Sequence, residues 1–204
     1  MQNLVINIIF WFVVALMYAW FEIELEGKYG WSEKTQTWYR SYKSYPKWLR
    51  VFLGKKPLTG YHAPAFMAVF LIAHMHFVMG VPWTWHNELV ALATYLAWAP
   101  LWDYLWLLFN PYYGIHNIGP KKVWWYQDSY WVRGVVPIEN LIQWGLTLVL
   151  ATIGGFLPTQ LLFLGGLSLL TIVSTLTLAP IFKRWNRHMH QTDDRENVNI
   201  FHRE

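Results

Sequence analysis

The sequence predicts an all-α polytopic membrane protein, a bundle of five transmembrane helices with aromatic interfacial segments. Three observations lead to this fold class. The 204 residues are 55% hydrophobic, 19% aromatic and only 14% charged, whereas soluble domains carry roughly 25% charged residues. Several apolar runs are long enough to cross a bilayer, which takes about 20 helical residues. Every lysine and arginine lies between or after these runs, so the polar surface is confined to the segments outside the expected membrane.

Five apolar runs are the predicted membrane spans, taken in chain order. The first has no basic residue ahead of it and no small-residue cleavage site, so we expect a retained helix and not a signal peptide. The five runs form one predicted transmembrane domain over residues 1–185, and residues 186–204 form a polar cytoplasmic tail. The predicted spans are residues 3–21, 61–81, 89–109, 135–156 and 161–182.

The basic residues predict the orientation, because loops rich in Lys and Arg stay on the cytoplasmic side. All 16 lie between the first two spans, between the third and fourth, or after the fifth. We therefore expect a multi-pass protein of the bacterial cytoplasmic membrane, with its N-terminus outside and its C-terminus inside. Attraction of these segments to anionic lipid explains the formal net charge of +4. No nucleic-acid partner is expected.

Two cytoplasmic loops, residues 31–53 and 110–134, are rich in Trp and Tyr. Aromatic belts at the headgroup level are typical of membrane proteins, and a lid over a lipid-facing cavity is the functional alternative. In the second case, the bound molecule is a membrane lipid or an isoprenoid. The candidate substrate-binding residues are Trp102, Trp106, Asn110, Trp124, Trp125, Tyr126 and Asn140.

Ionisable residues at membrane depth are the candidate catalytic groups, because charge is costly there and usually marks a function. Asp103 lies late in the third span and Glu139 in the first turn of the fourth; Glu22 follows the first span and His62 opens the second. We expect acids without a basic partner inside the membrane, suited to protonating a hydrophobic substrate. The structural alternatives are an ion pair for Asp103, a favourable helix dipole for Glu139, and interfacial roles for Glu22 and His62.

A second cluster of candidate ligands lies at the opposite face, around the turn between the second and third spans. His74, His76, His86 and Glu88 are side chains that bind Zn or Cu. Positions i and i+2 of a helix diverge by roughly 200°, so His74 and His76 cannot both face one metal in a regular helix. Interfacial histidines satisfied by water are the alternative, and a metal or a pigment at this face stays open.

Several protein classes are excluded by what the sequence lacks. The absence of cysteine excludes disulfides, thiolate metal sites and cysteine nucleophiles. No lysine lies within a predicted span, which excludes a retinal Schiff base, and no glycine-rich nucleotide-binding motif occurs. The spaced histidine boxes of membrane di-iron enzymes are missing. No internal repeat supports a self-contained transporter.

The order of motifs around Asp103 and Glu139 resembles a known family. Trp102-Asp103, then Trp124-Trp125-Tyr126, then Gly134-Val135-Val136-Pro137-Ile138-Glu139 resembles the heterodimeric or fungal-type lycopene cyclase domain. That family carries Trp-Asp near the end of one helix and Gly-x-x-Pro-Leu/Ile-Glu-Glu at the start of the next, and Asn140 replaces its second glutamate here. The resemblance implies a membrane enzyme that protonates a polyene end and lets the carbocation close, without turnover of a redox cofactor. Residues 24–31 and 57–62 are also similar to segments of small bacterial polytopic membrane proteins, which implies no activity.

Three functional hypotheses follow from the sequence. The first is an isomerase or cyclase for an isoprenoid or another lipid, with Asp103 and Glu139 as acid and carbocation stabiliser and Glu22 or His62 assisting; it requires no cofactor. The second is a non-catalytic subunit of a larger membrane complex, or a homo-oligomer, that packs partners or pigments. The third is a metalloprotein that uses the outer-face histidines.

Overall fold

The computed structural model describes residues 2–44, 46 and 56–193, and these residues are mainly helical. Five helices account for most of them, and two short antiparallel hairpins lie in the loops. The hairpins are β1 (Tyr39–Arg40) with β2 (Leu58–Thr59), and β3 (Trp131–Val132) with β4 (Val136–Pro137). The helices are α1 (Gln2–Glu26), α2 (His62–Val78), α3 (Trp85–Phe109), α4 (Ile138–Ile153) and α5 (Leu157–Gln191).

The predicted all-α class is confirmed, and a helix lies at each of the five predicted apolar runs. The largest differences in boundary are at the ends of the chain. Helix α1 continues to Glu26, and α5 extends from Leu157 to Gln191, so the first residues of the predicted tail are helical. Asn186 explains this extension, because its side-chain amide is buried and donates to Glu24 Oε1 at 2.7 Å. Residues 194–204 lie outside the described residues.

Two of the described helices are long and apolar enough to cross a membrane, over Asn3–Glu26 and Leu157–Gln191. Helices α2 and α4 are apolar but shorter. Helix α3 has sufficient length, yet it is rich in Trp and Tyr and is not among the two. Length and composition therefore support membrane association through two helices.

Helix α3 lies at the centre of the bundle and packs against each of the other four helices. Its start is fixed by Thr84, whose side-chain oxygen accepts the Asn87 backbone N–H. Trp98 and Trp102 stack with their ring centroids 4.9 Å apart, and both are buried. Because α3 is surrounded by other helices, most side chains in its second half are buried. This placement brings Asp103 into the interior.

The two aromatic loops pack on each other over one end of the bundle. Gly30 adopts a left-handed backbone, with φ of +69°, and a Cβ there would collide with the Trp125 ring. Trp124 Nε1 donates to the Tyr29 carbonyl oxygen at 3.1 Å, which gives the loops a second contact. These contacts close the end of the bundle at which the functional residues lie.

The loop aromatics divide between the core and the surface. The prediction of headgroup belts is wrong for the buried members, because these rings fill the space between loops and helices; they are Trp31, Trp125, Tyr126 and Trp131. Other members are exposed, including Trp38, Tyr39, Tyr112 and Tyr130. Of the predicted aromatic segment at 31–53, residues 45 and 47–53 lie outside the described residues.

Candidate active site

A cavity of about 300 Å³ lies beneath the loops, at the end of the bundle where α1 ends and α2 and α4 begin. Its wall is mostly aromatic and aliphatic, and its ionisable side chains come from α1, α2, α3 and the loop ahead of β2. A volume of this size falls at the lower end of the range of small-molecule sites. The lining residues are Glu22, Trp31, Lys56, His62, Phe66, Tyr95, Leu96, Ala99, Pro100, Trp102, Asp103, Asn140 and Gln143.

One group of polar residues, which we call the Lys56 network, joins Lys56, Asp103, Tyr126 and Asn140. Lys56 Nζ donates to Asp103 Oδ2 at 2.7 Å and also contacts the Tyr126 hydroxyl. That hydroxyl has two possible acceptors for its single hydrogen, Asp103 Oδ2 and, at 2.8 Å, Asn140 Oδ1. Burial and the neighbouring Asp103 carboxylate raise the pKa of Tyr126 well above its usual value. The network therefore keeps a neutral phenol beside a paired ammonium and carboxylate.

A second group, which we call the Glu22 cluster, contains Glu22, Glu26, Tyr61 and His62. Glu22 and Glu26 lie one turn apart on α1, and both side chains are buried. The Tyr61 hydroxyl contacts both carboxylates, with 2.9 Å to Glu22 Oε1. His62 Nε2 lies 2.9 Å from the same Glu22 oxygen. The cluster places two acids and an imidazole side by side in the protein interior.

Trp31 links the two groups. Its ring stacks on His62 with centroids 4.3 Å apart, and Lys56 Nζ lies 4.4 Å from the Trp31 ring centroid. Its Nε1 donates to the Pro57 carbonyl oxygen at 2.8 Å, which fixes the segment that carries Lys56. This tryptophan therefore holds the imidazole and the ammonium at the same wall of the cavity.

Three of the four predicted catalytic residues meet in this cavity. Asp103, Glu22 and His62 line it, whereas Glu139 does not. Glu139 Oε1 instead accepts a hydrogen bond from Ser129 Oγ at 2.6 Å, within the loop that precedes β3. The expectation that the acids lack a basic partner is wrong for Asp103, because Lys56 reaches it from the neighbouring loop.

The predicted substrate-binding residues divide in the same way. Trp102 and Asn140 line the cavity. Tyr126 lies behind it in the Lys56 network, and Trp106 packs edge-to-face on Trp125 at 5.3 Å. The remaining two hold loops: Asn110 Nδ2 donates to the Gly27 carbonyl oxygen at 2.8 Å, and Trp124 bonds Tyr29.

The four candidate metal ligands near the turn between α2 and α3 do not lie around one point. His74 Nε2 lies 3.1 Å from Glu88 Oε1, so these two form a pair. His76 Nδ1 contacts the Ala73 carbonyl oxygen, and His86 Nδ1 contacts the Gly154 carbonyl oxygen. The structure therefore brings together two of the four predicted ligands and directs the other two to separate backbone groups.

Sequence reasoning assigned no site role to four side chains, namely Glu26, Trp31, Lys56 and Tyr61. Lys56 resembles the other basic residues of its loop, and no local pattern distinguishes it. Lys56 is placed at the site by the β1–β2 hairpin, in which Tyr39 pairs with Thr59 and Arg40 with Leu58. That pairing draws the end of the loop back against the bundle, which brings Lys56 to α3.

Comparisons with protein-family models, with curated proteins and with solved structures gave no match. The cavity and its two groups of polar residues are therefore the structural evidence that bears on function.

Proposed function

We propose that this protein is a membrane-embedded enzyme that isomerises or cyclises a hydrophobic substrate, an isoprenoid or another lipid, by proton transfer. The proposal includes the five-span topology in the bacterial cytoplasmic membrane, with the N-terminus outside. On that topology, the loops and the candidate active site lie on the cytoplasmic side. The resemblance of the Asp103–Glu139 region to a lycopene cyclase domain favours the same class of reaction.

The observation that supports this proposal most is the composition of the cavity wall. Four ionisable side chains, those of Glu22, Lys56, His62 and Asp103, line a cavity whose remaining surface is largely apolar and aromatic. Buried ionisable groups are expensive and usually functional at membrane depth. An apolar wall with a few convergent polar groups is typical of a small-molecule site.

The two groups of residues would have different roles in the reaction. The Glu22 cluster supplies the proton, because its two acids and its imidazole lie together at the wall. Asp103, paired with Lys56, provides fixed negative charge near the carbocation. The faces of Trp31, Phe66 and Trp102 offer further stabilisation, since aromatic faces attract cations.

The reaction balances without an oxidant or a reductant. A proton adds to one carbon of a double bond, and the π electrons form the new C–H bond. The carbocation either closes on a second double bond or remains open, and it then loses a proton from an adjacent carbon to a carboxylate. Substrate and product therefore have the same mass.

Deuterium labelling tests this proposal before the substrate is known. The purified protein is reconstituted with the total lipid extract of cells that lack it, in D₂O, and the lipids are analysed by mass spectrometry. We expect one lipid class to gain deuterium at carbon, because the new C–H bond takes its hydrogen from exchangeable groups. Glu22→Gln should lower the rate by at least about 100-fold, the usual contribution of a general acid.

Glu24→Gln is the matched control. Glu24 lies on the same helix but bonds Asn186 and His190, away from the cavity, so its replacement should leave labelling unchanged. The proposal fails if no lipid is labelled above the protein-free level, or if Glu22→Gln labels as fast as wild type. A stoichiometric chromophore or partner protein in the purified material, without labelling, would favour the non-catalytic subunit.

A further inference from the structure

We infer that Glu22, Glu26 and His62 form a binding site for one divalent transition-metal ion at the wall of the cavity. One ligand atom from each of the three side chains lies within 4.8 Å of the other two, and all three residues are buried, at 4%, 5% and 1% exposure. This inference rests on the proposed function, because it names the ion that would assist proton transfer at the same site.

Charge balance is the first argument for a cation. Glu22 and Glu26 lie one helical turn apart, and two buried carboxylates can be ionised together only beside compensating positive charge. Lys56 is already paired with Asp103 at 2.7 Å. The contacts of Glu22 in the cluster are the neutral Tyr61 hydroxyl and the His62 imidazole, each 2.9 Å from its Oε1. A divalent ion between the three side chains would balance both carboxylates.

The orientation of His62 is the second, independent argument. Its Nδ1 is hydrogen-bonded to Thr59 Oγ1, which directs Nε2 toward the two carboxylates. Nε2 is buried and makes no hydrogen bond of normal geometry, although Glu22 Oε1 is close. Metal-bound histidines are held in this manner, with one ring nitrogen bonded to the protein and the other facing the ion.

Neighbouring polar groups also hold the two carboxylates in place. The Ser32 backbone N–H donates to Glu26 Oε1, and the Tyr61 hydroxyl contacts both acids. Glu22 and His62 line the cavity, so the ion would keep a coordination position open toward it, as catalytic metal sites do. As metal ligands, Glu22 and Glu26 would carry no proton. A water bound at the open position would be a stronger acid than free water, and it would be the member of the site that supplies the proton.

The ligand types indicate which ions bind. One imidazole nitrogen and two carboxylate oxygens suit Mn²⁺, Fe²⁺ or Zn²⁺. The chain has no cysteine, so thiolate cannot contribute to selection of the ion. We therefore expect an ion of this class and not Ca²⁺ or Mg²⁺, which prefer all-oxygen ligands.

Metal content tests the inference directly. The protein is purified through a histidine-free affinity tag, incubated in turn with Mn²⁺, Fe²⁺ and Zn²⁺, desalted, and analysed by inductively coupled plasma mass spectrometry. We expect about one ion per chain in wild type, the occupancy of one three-ligand site with an open position. Glu26→Gln and His62→Gln should weaken binding by at least about tenfold.

Two controls locate the ion. Glu24→Gln changes an acid on the same helix, and His74→Gln removes the outer-face pair with Glu88, so both should retain the metal. Absence of all three ions from wild type would overturn the inference, as would full occupancy in His62→Gln or loss of metal in His74→Gln alone. Titration of wild type with Co²⁺, followed by the visible absorption of the ligated ion, gives a readout that requires no variant to fold; no new absorption would also overturn it.

The outcomes separate this inference from the proposed function. Deuterium labelling by a wild-type protein that binds none of the three ions would overturn the metal inference and leave the enzyme proposal standing. Stoichiometric metal in a protein that labels no lipid would support the metal inference and overturn the enzyme proposal.

Discussion

At the scale of single residues, the Lys56–Asp103 pair shows how this fold tolerates charge in its interior. The two side chains are 2.7 Å apart and only 11% and 15% exposed. Removing one partner from a buried pair leaves the other charge uncompensated, which typically costs about 3–5 kcal/mol. Replacing both partners by apolar groups avoids that cost.

Variants of Lys56 should therefore differ from wild type in their free energy of unfolding. Lys56→Met should lower the free energy of unfolding in detergent by about 3 kcal/mol, because it leaves Asp103 buried and unpaired. The double variant Lys56→Met with Asp103→Leu should recover most of this loss. Lys122→Met, at an exposed position of the second loop, is the control and should change little. Equal destabilisation by the single and double variants would contradict a direct pair.

The roles of individual residues were predictable from the sequence only in part. Asp103, Glu22 and His62 could be selected because each is an ionisable residue near the end of an apolar run, where charge is costly. Glu139 met the same criterion, yet it bonds Ser129 and lies off the cavity. The difference depends on helix rotation and on loop packing, which a local pattern does not encode.

At the scale of elements, the junction between the two aromatic loops positions the site. Gly27 and Gly30 both adopt left-handed backbone conformations in the turn after α1. An added Cβ at Gly27 would meet nothing within 4 Å, whereas at Gly30 it would collide with the Trp125 ring. Substitutions at the two glycines therefore distinguish the cost of backbone strain from the cost of disturbed loop packing.

We expect different costs for the two alanine substitutions. Gly27→Ala should lower the free energy of unfolding by about 1 kcal/mol, from the left-handed backbone alone. Gly30→Ala should cost at least about 2 kcal/mol, because it adds overpacking to the same strain, and it should also slow deuterium labelling by displacing Trp31. Thermal unfolding and labelling of both variants give the comparison. Similar values for the two would show that the loops do not pack at Gly30.

The elements themselves were largely predictable, because apolar runs and their polar boundaries are local properties of a sequence. Their ends were less so. Helix α5 reaches Gln191 because Asn186 finds Glu24 on α1, and the loop hairpins form through pairings such as Tyr39 with Thr59. Each of these contacts joins residues that are distant in the sequence, and the choice of partner follows from the assembled fold.

At the scale of the whole molecule, the arrangement places a central helix among four others and covers one end with two loops. Trp102 on the central helix and Phe66 on α2 form apolar walls beside the ionisable side chains, and the buried Trp98 packs against both rings. A hydrophobic molecule could occupy such a cavity with its reactive end among those groups.

The most direct test is an experimental map of the wild-type protein, reconstituted with native lipids, that shows what occupies the cavity. We expect elongated density against Phe66, Tyr95 and Trp102, with one end in contact with Glu22 or His62. Ala99→Phe, which fills the cavity without altering an ionisable group, should remove this density. A cavity that contains only water, or lipid density confined to the outer surface of the helices, would contradict the account.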